Sequence, residues 1–440
     1  MKYIEQIKSF LLAFLVLLSI ALTLVIWNYK PDYELIEETQ IEEVVVGEQK
    51  QLQDVIRPYR VLYRENDVFT GTISNSVLNE LYRHLITWQA TDIELINSNI
   101  SDVKMNEIVR TNNRITLFFN EAIPLQTFSN VLTFFEKDIP DASFTRLILD
   151  WSNVEEQGQV QVLFLNTEKR LLFRGYVELN NSDRFLTQVI RPAQGYTPYL
   201  EIERDSLRSL YVAQGPIEAT QYTYLNDKLP LESFKNIVFT NPNIVQRNIE
   251  SPQSEKYSDD MSWMTIDTQN RILNYVYPLA ESIAPIPSAK LVRDSFEFIN
   301  DHGGFTSDFR LSSMNIGKHI IAYQLFLQGY PVYSNITTTQ IITTWGENRL
   351  FRYRRPYYSM ERDVPNERAA QSLPSSETVI NYVRSLEDYP FNEIDEIVVG
   401  YYLMQSPDAY ILDPSWFVIS NNTWMRITPE QLGGAMSGLE

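Results

Sequence analysis

Hydrophobic positions along this chain follow a helical rhythm in some stretches and an alternating one in others, after one block with no polar face at all. That block is residues 10–27, FLLAFLVLLSIALTLVIW, an unbroken apolar run ahead of a soluble-looking remainder. As a helix of about 1.5 Å rise per residue it reaches roughly 27 Å, close to the hydrocarbon thickness of a bilayer. A cleaved signal would have a shorter apolar core and an Ala-x-Ala-like end, so a retained membrane-spanning helix is expected. Lys2 and Lys8 precede the run and acidic residues follow it, against which Lys30 weighs mildly; this predicts a cytoplasmic N-terminus and an outer body. At 100° per residue one side of the helix collects Ser9, Ala13, Val16, Ser19, Ile20 and Thr23. The other collects Leu11, Phe14, Leu15, Leu18, Leu22 and Val25. Small and hydroxylated residues let helices approach closely in lipid, so the first side is the expected partner-helix face. The plainer alternative is an anchor whose Ser and Thr side chains bond back to their own carbonyls.

Beyond an acidic stalk, helical spacing over residues 76–90 (Val77, Leu78, Leu81, Tyr82, Leu85, Ile86) predicts an amphipathic helix, with Ser74, Asn75 and Ser76 as candidate caps. Strand-like RITLFFNEAIPL, a short helix over 125–135, and the strands FTRLILDW, VQVLFLN and RLLFRGYVEL follow, the last two turning at Glu168 and Lys169. In the second half a helix leads into strands three times: PLESFKNIVF, SAKLVRDSFEFIN ended by DHGG, and SSETVINYVRSL. Strict alternation sets Ile341, Thr343 and Trp345 against Ile342, Thr344 and Gly346, and Phe351, Tyr353 and Arg355 against Arg352 and Arg354. The class this predicts is α+β, helices packed on antiparallel sheets, with the last two domains similar to each other. The expected divisions are residues 1–9 cytoplasmic, 10–27 in the membrane, and domains over 28–190, 191–285 and 286–440.

Composition sharpens this picture at three points. A net charge of −19 disfavours nucleic acid and anionic lipid surfaces as partners. The absence of cysteine rules out disulfides, thiolate chemistry and a lipid-modified N-terminal cysteine. A hydrophobic fraction of 44% supports substantial cores.

Candidate chemistry is sparse. His84, His302 and His319 are the chain's 3 histidines, and none has zinc-ligand spacing. Asp301 and His302 could orient a base toward Ser307, but no nucleophile motif accompanies them, and Gly303 and Gly304 fit a helix cap better. Asp150 and Glu155 beside Trp151, the segment from Tyr257 to Asp260, and the Asp294 to Glu297 pair are expected to be solvated carboxylates rather than calcium or glycosidase sites. No phosphate-cradling glycine pattern occurs. Neither catalytic residues, a metal nor a cofactor are therefore expected. The dense basic run Arg352, Arg354, Arg355 is the candidate external partner contact; as a charged edge strand it needs no partner.

Two segments carry a resemblance. The junction WNYKPDYE directly after the apolar run, and FLQGYPVY at 326–333, resemble the YycH family of low-GC Gram-positive bacteria, also called WalH. The resemblance implies an extracytoplasmic three-domain protein whose last two domains are YycI-like and PepSY-like. It also implies a non-enzymatic regulator that acts with YycI on the sensor histidine kinase WalK (YycG), partner of WalR in control of cell-wall metabolism, with restraint of the kinase the favoured sign. The alternatives are an extracellular module binding peptide or wall fragments in a groove of Tyr323, Phe326, Tyr330 and Tyr333, and a cell-wall hydrolase or transferase, for which no convergent constellation is visible.

Overall fold

The structure is a computed structural model and describes residues 11–12, 14–23, 46–136, 138–387, 389–406 and 408–432. Residues 11–12 and 14–23 are helical and exposed throughout, with Leu11, Leu12, Leu17 and Leu22 each more than half accessible. Among the described residues no helix is long and apolar enough to cross a membrane. Phe10, Ala13 and residues 24–27, the rest of the expected span, lie outside the described residues.

The first half builds one ten-stranded sheet. In chain order its strands are β1 (Arg60–Glu65), β2 (Val68–Thr72), β3 (Gln89–Asn97), β4 (Arg114–Pro124) and β5 (Thr133–Phe134). They continue with β6 (Ser143–Asp150), β7 (Gln159–Asn166), β8 (Leu171–Glu178), β9 (Thr197–Ile202) and β10 (Leu210–Ala213). The spatial order is β10-β9-β2-β1-β4-β6-β7-β8-β3-β5. The centre is antiparallel, and β7 pairs with β8 from Gln159↔Glu178 to Asn166↔Leu171 as the predicted hairpin. Its central strands are buried nearly throughout, because the helix Asn75–Ile86 packs on one face and Met105 and Ile108 of the helix Asp102–Arg110 pack with Ile148, Leu163 and Leu165 on the other. Leu78, Leu81, Tyr82 and Leu85 of that helix are buried, one stripe at three- and four-residue spacing. The Tyr82 hydroxyl donates to the Ile56 carbonyl at 2.7 Å, fixing the helix against the start of the domain.

The second half forms a fourteen-stranded sheet. The helices Leu231–Val238, Ser288–Asn300 and Ser376–Arg384 fall where the periodicity placed them. Their strands do not make three separate sheets. Leu350–Pro356 inserts between Ile272–Val276 and Gln340–Trp345, and Ile217–Leu225 pairs with both Ala409–Ser420 and Ala369–Leu373. The short Tyr330–Tyr333 strand runs parallel to Glu396–Gln405 and joins the two parts. Hydrogen-bonded partners therefore lie on both sides of residues 190 and 285.

The helix Ser288–Asn300 buries Leu291, Val292, Ser295, Phe296 and Ile299. Its one buried hydroxyl is paired: Ser295 Oγ lies 2.7 Å from Thr343 Oγ1 and accepts from Tyr323 at 3.1 Å. The Gly304 and Gly303 N–H groups cap its end on the Ile299 and Asn300 carbonyls at 2.8 and 2.9 Å. The predicted helix over 125–135 is shorter, Leu125–Phe128, because the chain then turns to place β5 parallel to β3.

The halves are joined by named contacts. Arg310, fully buried, donates to the Pro58 carbonyl at 3.2 Å and Asn75 Oδ1 at 2.6 Å while pairing with Asp308 at 2.7 Å. Glu121 accepts from the Ala122 and Met314 N–H groups, both at 2.7 Å, and burial raises its carboxyl to about 7. Residues 46–50 lie against the end of the Ser288–Asn300 helix: Val46 N–H donates to the His302 carbonyl at 2.9 Å, and Lys50 N–H to Asn300 Oδ1 at 2.7 Å. Gly47 and Gly303 touch backbone to backbone. A Cβ on Gly303, whose φ is +64°, would lie 1.8 Å from the Gly47 oxygen.

Candidate functional site

Of the expected partner-helix face, Val16, Ser19, Ile20 and Thr23 are exposed on a continuous helix. The Thr23 hydroxyl donates to the Ser19 carbonyl at 2.8 Å, the backbone-directed bond that a plain anchor also makes. Ser9 and Ala13 lie outside the described residues.

The basic run divides by alternation. Arg352 and Arg354 are exposed, whereas Arg355 is completely buried, so it is not an external partner contact. Its guanidinium donates to the Pro356 carbonyl at 2.9 Å, the Gly304 carbonyl at 2.8 Å and the Tyr353 hydroxyl at 3.0 Å. It also sits 4.6 Å from the Phe234 ring centroid. Arg355 thus pins the glycine cap of one helix beneath another, and the reason is phase: it shares the inward face with Phe351 and Tyr353.

The candidate acid–base group is not assembled. The His302 ring packs edge-on against Phe298, and burial with the nearby Arg355 charge lowers it to about 4. The Ser307 hydroxyl donates to the Thr306 carbonyl. His84 meets Gln188 at 3.2 Å, and burial lowers it below the ordinary imidazole range; His319 meets the Trp345 carbonyl at 3.2 Å. Asp150 pairs with Arg114 at 2.8 Å, Asp259 accepts from its own turn, and Asp294 pairs with Lys290. Among the described residues no three His, Asp or Glu side chains converge as a metal site would require.

What the fold does assemble is a cleft of about 1120 Å³ between the two halves. Phe326, Tyr330 and Tyr333 of the expected aromatic groove line it, but Tyr323 turns into the core. The Phe326–Tyr333 segment that carried the resemblance bends at Gly329, whose φ is +84°. A Cβ there would lie 2.2 Å from the Ile73 oxygen, so glycine alone lets this turn reach the rim of the first half.

The inner wall is a charge cluster that sequence spacing does not reveal. Arg60 on β1 pairs with Glu396 at 3.1 Å, donates to the Tyr211 carbonyl at 2.6 Å, and lies 4.4 Å from the Phe118 ring centroid. Arg146 on β6 lies 3.6 Å from Glu396 and 4.4 Å from the same ring. Burial disfavours the Arg60 cation, but Glu396 more than offsets it and raises the guanidinium above its ordinary value. For Arg146 burial wins and lowers it. The Tyr59 hydroxyl donates to Glu396, and burial together with that carboxylate raises it above the usual phenol range. Arg204 is held by the Ile394 carbonyl at 2.7 Å and the Arg208 carbonyl at 2.6 Å. Half-buried Arg208 has no carboxylate partner among the described residues.

The class defined by this architecture is a two-part α+β protein with a long first-half sheet, a composite second-half sheet and a polar cleft between them. A family model described as "YycH protein, N-terminal domain" matches residues 5–189, and one described as "YycH protein, C-terminal domain" matches 207–432. The chain belongs to the YycH family. It is 19% identical, over 99% of both sequences, to the Bacillus subtilis (strain 168) protein named "Two-component system WalR/WalK regulatory protein YycH". The crystal structure of YycH from Bacillus subtilis shares the fold with a TM-score of 0.74 at 17% identity, covering 87% of this chain and 99% of that one.

Proposed function

We propose that this chain is a membrane-anchored, non-catalytic regulator of a WalR/WalK-type two-component system. The observation carrying this reading is the end-to-end correspondence, 99% of each sequence, with a relative named as a regulator of that system. In this reading residues 10–27 cross the membrane with the N-terminus inside. The exposed face of Val16, Ser19, Ile20 and Thr23, extended by Ser9 and Ala13, packs on helices of a YycI-like protein and of the sensor kinase. The body stands outside, its last two helix-on-sheet parts being related modules.

A regulator shifts the kinase only by binding its active and inactive states unequally. A difference of about 1.4 kcal/mol changes the ratio tenfold, which a few helix contacts supply. We take the net effect to be restraint.

The test is autophosphorylation of the sensor kinase in proteoliposomes, alone, with the full-length chain, and with a chain lacking residues before Tyr29. A decrease given by the full-length chain and lost on truncation is the expected result. Equal rates in all three would overturn the regulator, and equal decreases from both chains would move the contact to the body. In the same membranes S19L/T23L should co-purify less kinase at unchanged insertion.

A further inference from the structure

We propose that the cleft between the two halves is a binding site for an anionic saccharide, one whose sugar rings carry carboxylate or phosphate groups. Arg60, Arg146, Arg204, Arg208 and Arg354 line it. The facing carboxylates are Glu168, Glu218, Asp395 and Glu396. Their placement is unequal. Glu168, Glu218 and Asp395 are exposed at the rim, and Asp395 is engaged by the Asn421 N–H at 2.8 Å. Along the inner wall Arg60 and Arg146 contact Glu396, and Arg204 and Arg208 lie nearby with Asp395 and Asp102 also acting on Arg204, so guanidinium groups outnumber carboxylates there in a chain whose net charge is −19.

Such an excess is unfavourable without an anion. Arg146 and Arg204 are both lowered, by burial first and then in part by the neighbouring positive charge of Arg208. Arg208 has no ion-pair partner among the described residues, and neither does Arg354 nearer the mouth. Guanidinium groups bind carboxylate and phosphate through paired N–H donors, so an arriving oxyanion would relieve the repulsion among them.

The remaining lining selects what carries the anion. Tyr333 and Trp424 are half-buried with ring centroids 5.3 Å apart, and both line the cleft. An aromatic patch together with hydroxyl and amide groups elsewhere in the lining, such as Ser76, Asn120, Thr338 and Gln328, suits a ring with one apolar face and a polar edge. The volume exceeds that of most small-molecule pockets and gives room for an oligosaccharide.

The experiment is titration calorimetry on the full-length chain in detergent, with hyaluronan tetrasaccharide, neutral N-acetylchitotetraose, triglutamate and inorganic phosphate as probes. The expected result is saturable binding of the hyaluronan tetrasaccharide, at least tenfold tighter than the neutral one, with quenching of tryptophan fluorescence. R208Q and R354Q should each weaken it about tenfold at unchanged melting temperature, and phosphate should compete only weakly. Equal binding of the neutral tetrasaccharide, insensitivity to both substitutions, or no binding by the hyaluronan tetrasaccharide would each overturn the site. Tighter binding of triglutamate or of phosphate alone would overturn the saccharide assignment.

Discussion

Single side chains in this protein owe their roles to which face they occupy more than to their chemical type. In FRYRRP all three arginines look alike by charge, but period-two phase places Arg355 with Phe351 and Tyr353. That much was legible; the carbonyls of Gly304 and Pro356 that receive it were not, because the Gly304 cap lies about fifty residues upstream. R355M should lower unfolding free energy by about 3 kcal/mol, since its buried acceptors lose a charged donor. R352Q, on the exposed face, should stay within about 0.5 kcal/mol in the same denaturant titration.

Glu121 and His302 give opposite pH slopes. Glu121 titrates at about 7 folded against 4.5 in its ordinary state, so the folded chain keeps a proton that the unfolded chain releases. The stability linked to it is full below about pH 4.5 and is lost as pH rises through 7, about 3 kcal/mol in all. His302 falls to about 4 from 6.5, so the unfolded chain takes the extra proton and stability rises with pH across that window. Between pH 4.5 and 6.5 the two oppose each other. E121Q should remove one slope, gaining about 3 kcal/mol relative to the unsubstituted chain between pH 5 and pH 8 by chemical denaturation.

Among elements, those with a strong apolar rhythm were readable and those without were not. The helices Leu231–Val238, Ser288–Asn300 and Ser376–Arg384 announce themselves by buried residues three and four apart. The strand Gln246–Ser251 is exposed along nearly its whole length and offers no alternation to detect. The helix Asp102–Arg110 buries Met105, Ile108 and Val109 on a short, mostly polar segment, too brief to establish a period. DHGG did announce a helix end, though not the second use of its first glycine as the seat for Gly47. G303A should disrupt that seat, because its Cβ meets backbone rather than a side chain that can move. The expected outcome is faster protease cleavage within residues 46–50 and a melting temperature lowered by several degrees.

At the scale of the whole molecule, the cleft was the least legible feature. Its inner wall joins Arg60 and Arg146 to Glu396 across more than two hundred residues, and no local pattern records such a meeting. The aromatic groove expected around FLQGYPVY was partly readable, since Phe326, Tyr330 and Tyr333 do line the cleft, and glycine at 329 fits the close approach to Ile73. What spacing could not supply was the opposing half of the molecule that turns a groove into a cleft.

The seating of residues 46–50 on the end of a helix that closes at Asn300 also sets an order of events. As the chain leaves the ribosome, this early segment has no surface to rest on until some 250 further residues have followed, Lys50 and Asn300 being separated by that distance in sequence. Likewise Ile217–Leu225 waits for Ala409–Ser420 before it has a neighbour on that side. Contacts so distant close late. The stretch made first among them is one of the last to settle, and a chain cut short before the final third would leave its own beginning unsecured.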